Sequence, residues 1–193
     1  VQSNFNRRAS RLIDGHATFL HYAAYYNLVS AAIGLIAVAV FGFGGYSTFT
    51  LVCAVAVGLL LVADLFANIE AVKRCTLSLV VLFSMGGLTV PCVAGIFLFD
   101  EPMSAWQWVG LAVFAVSAFF MISGSGETYG KLSFKTFLLL VLTFSANGAV
   151  MLLQKLFAVK EENGNVWLFS LLSFAVGAGL LYAITLTAAA SKR

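Results

Sequence analysis

The sequence predicts an all-α, polytopic transmembrane helix bundle, and three observations carry that prediction. Hydrophobic residues make up 61% of the 193-residue chain against 10% charged, with a mean hydropathy of +0.98. A water-soluble domain of this length has too much surface to cover with so few charges. Apolar residues are gathered in six runs, each long enough for the ~20 residues that a helix needs to cross ~30 Å of hydrocarbon. The cations, finally, alternate between the connections in the way the sides of a membrane require. Buried strands would be far shorter than these runs, and none shows the ten-residue alternation of a membrane barrel.

The first run covers residues 18–43. The polar stretch before it, from Gln2 to Asp14, is not followed by the short apolar core and cleavage site of a signal peptide. His16 just before the run and His21 at its start read as interface residues, and Tyr22, Tyr25, Tyr26 and Asn27 open it. The tyrosines suit interface anchoring, and Tyr25 and Tyr26 are also deep enough to line a cavity. The second run, 47–70, carries Asp64, Asn68 and Glu70 near its end. Asp64 and Asn68 lie one helical turn apart on one face. An acid at membrane depth is expensive and usually faces a cavity or a proton path. The alternative is that Glu70 pairs with Lys73 or Arg74 and that Asp64 snorkels toward the same surface.

The third run, 76–99, contains Pro91, which removes a backbone donor and clashes with the preceding turn, so a kink is expected. Pro102 in the turn Asp100-Glu101-Pro102-Met103 closes that helix, and Ser104 with Gln107 matches a capping box opening the next. Trp106 and Trp108 then sit where an aromatic belt belongs in the fourth run, 104–123. The fifth, 134–157, places Asn147 beside Gly148 near mid-membrane, where its amide either bonds to a neighbouring helix or touches a solute. Gln154 and Lys155 suit interface anchoring. The sixth run spans 166–188. The glycines spread through the spans allow close helix packing.

Six crossings divide the connections between two sides. One side holds Arg7, Arg8, Arg11, Lys73, Arg74, Lys131, Lys135, Lys192 and Arg193, the other only Lys155 and Lys160, beside Glu161 and Glu162. The positive-inside rule puts the first side, with residues 1–17, in the cytoplasm. Adding or dropping a span would scramble this asymmetry.

Cys53, Cys75 and Cys92 stand alone, without metal-ligand spacing to His16 or His21, and read as small packing residues. No metal, cofactor or nucleic-acid partner is expected, and the scattered net charge of +3 serves topology. Ser123-Gly124-Ser125-Gly126 lies in a polar loop without a placed histidine, so no enzyme is expected.

Residues 75–123 resemble the drug/metabolite transporter superfamily, EamA type. The pattern is a helix with an internal proline, a small-residue second half, an acidic turn, and an aromatic-glutamine start to a glycine-bearing helix. Here it reads Pro91, Gly95, Phe97-Leu98-Phe99-Asp100-Glu101-Pro102 and Trp106-Gln107-Trp108-Val109-Gly110. The resemblance implies ten helices in two five-helix repeats of inverted topology. Gln2, Phe5 and Arg8 align with Gln154, Phe157 and Lys160 at a constant offset, on opposite sides of the membrane, as an inverted repeat requires. The expected organisation is then most of a first repeat over 1–123, an inter-repeat loop over 124–133, and the start of a second repeat over 134–193. On this plan a first and three last helices lie outside the sequence, and 1–193 alone is expected to carry no flux. The resemblance also puts residues 1–17 outside the cell, opposite to the cation count, so both orientations stay open.

The functional expectation is a secondary transporter, exporting or importing small organic metabolites or drugs across a bacterial plasma (inner) membrane. Its partners are the bilayer, an unidentified solute and a coupling ion of unknown kind. Substrate-cavity candidates are Asp64, Asn68, Asn147, Tyr25 and Tyr26. A non-transporting scaffold or assembly subunit is the alternative.

Overall fold

The computed structural model describes residues 16–129, 133–161 and 164–190, with the side chains of 16–20, 124–129 and 188–190 left aside. Arg7, Arg8, Arg11, Lys131, Lys192, Arg193 and the Gln2-Phe5-Arg8 half of the repeat alignment lie outside these residues. The described chain is helical: α1 His16–Phe41, α2 Thr48–Arg74, α3 Leu77–Gly86, α4 Thr89–Phe99, α5 Ala105–Tyr129, α6 Phe134–Lys160 and α7 Val166–Ala190. Six segments among them are long and apolar enough to cross a membrane, with α3 and α4 together making one. The protein is an integral membrane protein on that ground.

Boundaries differ most from the sequence reading at the ends of α2 and α5 and within the third span. α2 runs on to Arg74 because Glu70 bonds forward to Lys73 and Arg74 within the last turn, at 3.2 and 3.4 Å. α5 continues to Tyr129, past the polar boundary expected at 123. At the disturbance expected from Pro91, the regular bonding of the third span is interrupted over two residues, Gly87 and Leu88, which keep right-handed helical angles. α3 stops at Gly86, and the amides of Gly87 and Leu88 bond back to Ser84 O and Met85 O in tight turns. Gly87 is four residues before Pro91, whose ring clashes with the carbonyl at that distance and whose nitrogen cannot bond to it.

Contacts divide the chain into two units, described separately. The first contains residues 63–152. Its core is Ala71, Cys75, Leu79, Val80, Phe83 and Leu140, with Met121 and Ile122 packed against it. The end of α2, the end of α5 and the start of α6 therefore share one level. Those are the ends that the cation alternation assigns to one side of the membrane.

The second unit contains residues 16–62 and 153–190. α1 and α7 pack antiparallel along their length: Phe41 stacks on Trp167, Gly34 lies against Leu171, and Asn27 against Gly177. Ser47 caps α2, its hydroxyl accepting from the amide of Thr50 at 3.2 Å and donating to the Glu161 carboxylate. Asn165 Nδ2 donates to Gly42 O at 2.8 Å. The connections after α1 and α6 thus meet, as two connections on one side of a membrane must.

Candidate functional site

In a membrane span the backbone is satisfied by its own helix, so a polar side chain there is either neighbour-bonded or available to something that enters. Asn147 belongs to the first kind. Its Nδ2 donates to Ser84 O, beside the break between α3 and α4. Gly148, the next residue, lets α6 enter the break. A Cβ on Gly87 would lie 2.8 Å from Gly148 N and 2.9 Å from Phe144 O. Asn147 thus works as a clamp on an interrupted helix, the packing alternative of its two sequence readings.

Glu70 is likewise occupied by Lys73 and Arg74. Asp64 differs. Its Oδ1 is buried and has no hydrogen-bond partner among the described residues. At 1.5 Å of rise per residue, Asp64 lies about 15 Å along α2 from Arg74, about half the hydrocarbon thickness. A side chain as short as aspartate cannot snorkel that far. Asn68, one turn on, is half-buried and has an interaction of its own. Thr143, one turn before Asn147 on α6, also has a fully buried hydroxyl without a hydrogen-bond partner among the described residues. Nothing in its apolar surroundings marks Thr143 from sequence, because threonine in a helix usually bonds back to its own turn.

The second unit holds a groove of about 580 Å³ between α1 and α7. Ala24, Ala175 and Gly179 form a floor of small residues, and His21, Tyr25 and Tyr182 supply the polar groups. Tyr25 is 69% and Tyr182 63% exposed, so both rings present open faces. Tyr26 is rotated about 100° from Tyr25 by the helical pitch, is half-buried, and does not line the groove. Sequence reasoning picked Tyr25 but missed Tyr182. The signal was present: each is a tyrosine among small residues, and antiparallel packing brings the two helices together.

Behind the groove, Asn27 is 1% exposed. Its Nδ2 bonds back to Ala23 O at 2.9 Å, while its Oδ1 has no hydrogen-bond partner among the described residues. A Cβ on Gly177 would sit 2.7 Å from that oxygen, so the space is closed to any solute. Asn27 is a packing residue of a close three-helix junction, since Gly58 of α2 also lies against Ser173 O and Val176.

The structure therefore brings Asn147 to the α3–α4 break, sets Asp64 in the first unit, and sets Tyr25 in the groove of the second. Of the family-like residues, Asp100 ends α4 in the left-handed conformation, its amide bonded to Gly95 O. The Glu101 amide, at 3.1 Å, shares that carbonyl. Gln107 and Ser104 form the capping box, with Ser104 N donating to Gln107 Oε1 at 2.7 Å and Gln107 N to Ser104 Oγ at 3.3 Å. Pro102 and Gly110 are exposed. No cluster of His, Cys, Asp or Glu among the described residues could hold a metal ion. Comparisons with protein-family models, curated proteins and solved structures find no match to this chain.

Proposed function

We propose that the protein is a secondary transporter that moves small organic solutes, metabolites or drugs, across the membrane by alternating access. The observation that carries this reading is the groove between α1 and α7. Its volume of about 580 Å³ falls in the ~300–1,000 Å³ range of small-molecule sites. Its lining is apolar and small except for His21 and the two tyrosines, and open aromatic faces suit planar or cationic organic molecules. The ten-helix, inverted-repeat plan and the bacterial inner membrane belong to the same proposal. They rest on the Pro91-to-Gly110 pattern and the offset between Gln2-Phe5-Arg8 and Gln154-Phe157-Lys160.

Proteoliposomes holding the full-length protein test this reading by counterflow of labelled amino acids, sugars and cationic dyes. Exchange of at least one class above empty liposomes is expected. Inertness to all of them, with a partner protein co-purifying at fixed stoichiometry, would point to the scaffold reading. That reading has one observation in its favour: α5 exposes Trp106, Val113, Val116, Phe119 and Phe120.

A further inference from the structure

Asp64 is the one acid of α2 left over by the account so far. Glu70, the other, has both carboxylate oxygens engaged by cations of the same turn. Asp64 has a buried Oδ1 without a hydrogen-bond partner among the described residues. Among the described residues no cation forms an ion pair with it. The other charges of the first unit with described side chains, Glu70, Lys73, Arg74, Asp100, Glu101 and Lys135, stand in the last turn of α2, beyond the end of α4 or in the first turn of α6. A carboxylate ion fixed at membrane depth with no counter-charge would cost more than the fold can offset. A carboxylic acid carries its own compensation, a proton, and can exchange it whenever water reaches the site.

We propose that Asp64 is a proton-binding site within the membrane, and that solute movement is coupled to proton uptake and release there. The coupling half rests on the transporter reading; the proton site does not. In each cycle one proton comes from water on one side, forms the Asp64 O–H bond, and leaves to water on the other side when that bond breaks. No other covalent bond changes.

The site is tested by dicyclohexylcarbodiimide, an apolar reagent that adds to protonated carboxyl groups inside membranes. The acid's O–H adds across a C=N bond, and the adduct rearranges to a stable N-acylurea with nothing lost. Mass spectrometry of the full-length protein should find one carbodiimide on Asp64, with labelling that falls as pH rises. Asp64→Asn should abolish it, Asp64→Glu should keep it, and Glu70→Gln should leave it unchanged. Absent or pH-independent labelling at Asp64 would overturn the proton site.

The coupling is tested separately in proteoliposomes, using whichever labelled amino acid, sugar or cationic dye the wild type exchanges. Asp64→Asn should reduce uptake driven by a pH gradient to the level of empty liposomes while counterflow persists, and Asp64→Glu should restore it. Wild-type accumulation by Asp64→Asn, or accumulation driven by sodium and indifferent to pH, would overturn the coupling. Inertness of the wild type to every tracer would overturn the transporter reading and the coupling together, while the labelling result still decides the proton site.

Discussion

The two units bring helices together by different means. In the unit of residues 16–62 and 153–190, α1 and α7 run unbroken and pack side by side over small residues, with close approaches at Gly34 and Gly177 and at Gly58 of α2. In the unit of residues 63–152, the closest approach occurs where a helix is interrupted, and a glycine pair, Gly87 with Gly148, meets there under the Asn147 clamp. Lipid supplies no hydrophobic drive between helices, so close packing and interhelical hydrogen bonds do the work. One unit relies on packing. The other adds an interruption near a proline, where the Ser84 carbonyl accepts a further bond from Asn147 on another helix.

Adding a methyl group should separate these arrangements most sharply. A Cβ on Gly58 would lie 2.6 Å from the Ser173 carbonyl, and one on Gly87 would meet two backbone atoms below 3 Å. Backbone cannot swing aside, so Gly58→Ala and Gly87→Ala should each cost about 2–3 kcal/mol, read by denaturant titration in mixed micelles. Gly86→Ala should cost less, because its obstacle is the tip of the Phe114 ring. Gly110 has nothing within 4 Å, and Gly110→Ala should gain up to about 1 kcal/mol through helix propensity. Equal costs at Gly58 and Gly110 would sink the close-packing account.

The clamp should matter less than the glycines. Asn147→Ala should destabilise by about 1 kcal/mol and loosen amide exchange around Ser84 to Leu88. Normal protection there would mean that the break needs no clamp. Smaller again is the turn after α4, where Asp100 holds a φ of 51°. Asp100→Gly should be neutral or slightly stabilising, whereas Asp100→Val should cost about 1–2 kcal/mol, measured in the same titration.

At neutral pH the smallest effect belongs to Cys75, which lies between spans. Burial pushes its thiol up to about 11 from an ordinary 9.0. A raised thiol pKa means that the folded state holds its proton longer than the unfolded chain. The stabilising contribution is therefore whole below about pH 9 and is lost as pH rises toward 11. Wild type should lose stability over that window relative to Cys75→Ala. A parallel pH dependence of the two would show that Cys75 is not buried as described.

Much of this was legible because membranes impose simple rules. Six spans follow from run lengths, and their alternation follows from the cations; the meeting of Ser47 with Glu161 and of Gly42 with Asn165 agrees with it. The capping box at Ser104 and Gln107 was readable because both bonds are local. The break at Gly87 was not. Pro91 announces a disturbance, but its form depends on Gly148 and Asn147, some sixty residues away, entering the gap. Sequence did separate Asp64 from Glu70, because only Glu70 shares a turn with Lys73 and Arg74; it could not show that the Asp64 Oδ1 is left without a hydrogen-bond partner among the described residues. Tyr25 and Tyr26 look alike in sequence, and only the rotation of α1 against α7 puts one in the groove. Asn147 was read as bonding to a neighbouring helix or touching a solute, and its amide does bond to the Ser84 carbonyl.

The solute groove is the claim on which the functional reading stands, and substrate protection tests it most directly. In the full-length protein carrying Cys92→Ala, Tyr25→Cys should react with a membrane-permeant maleimide, and a solute that the protein exchanges in counterflow should slow that reaction in proportion to its occupancy. A maleimide rate at Tyr25→Cys unchanged by saturating solute, in a protein that still exchanges it, would show that the solute passes elsewhere and would contradict the account.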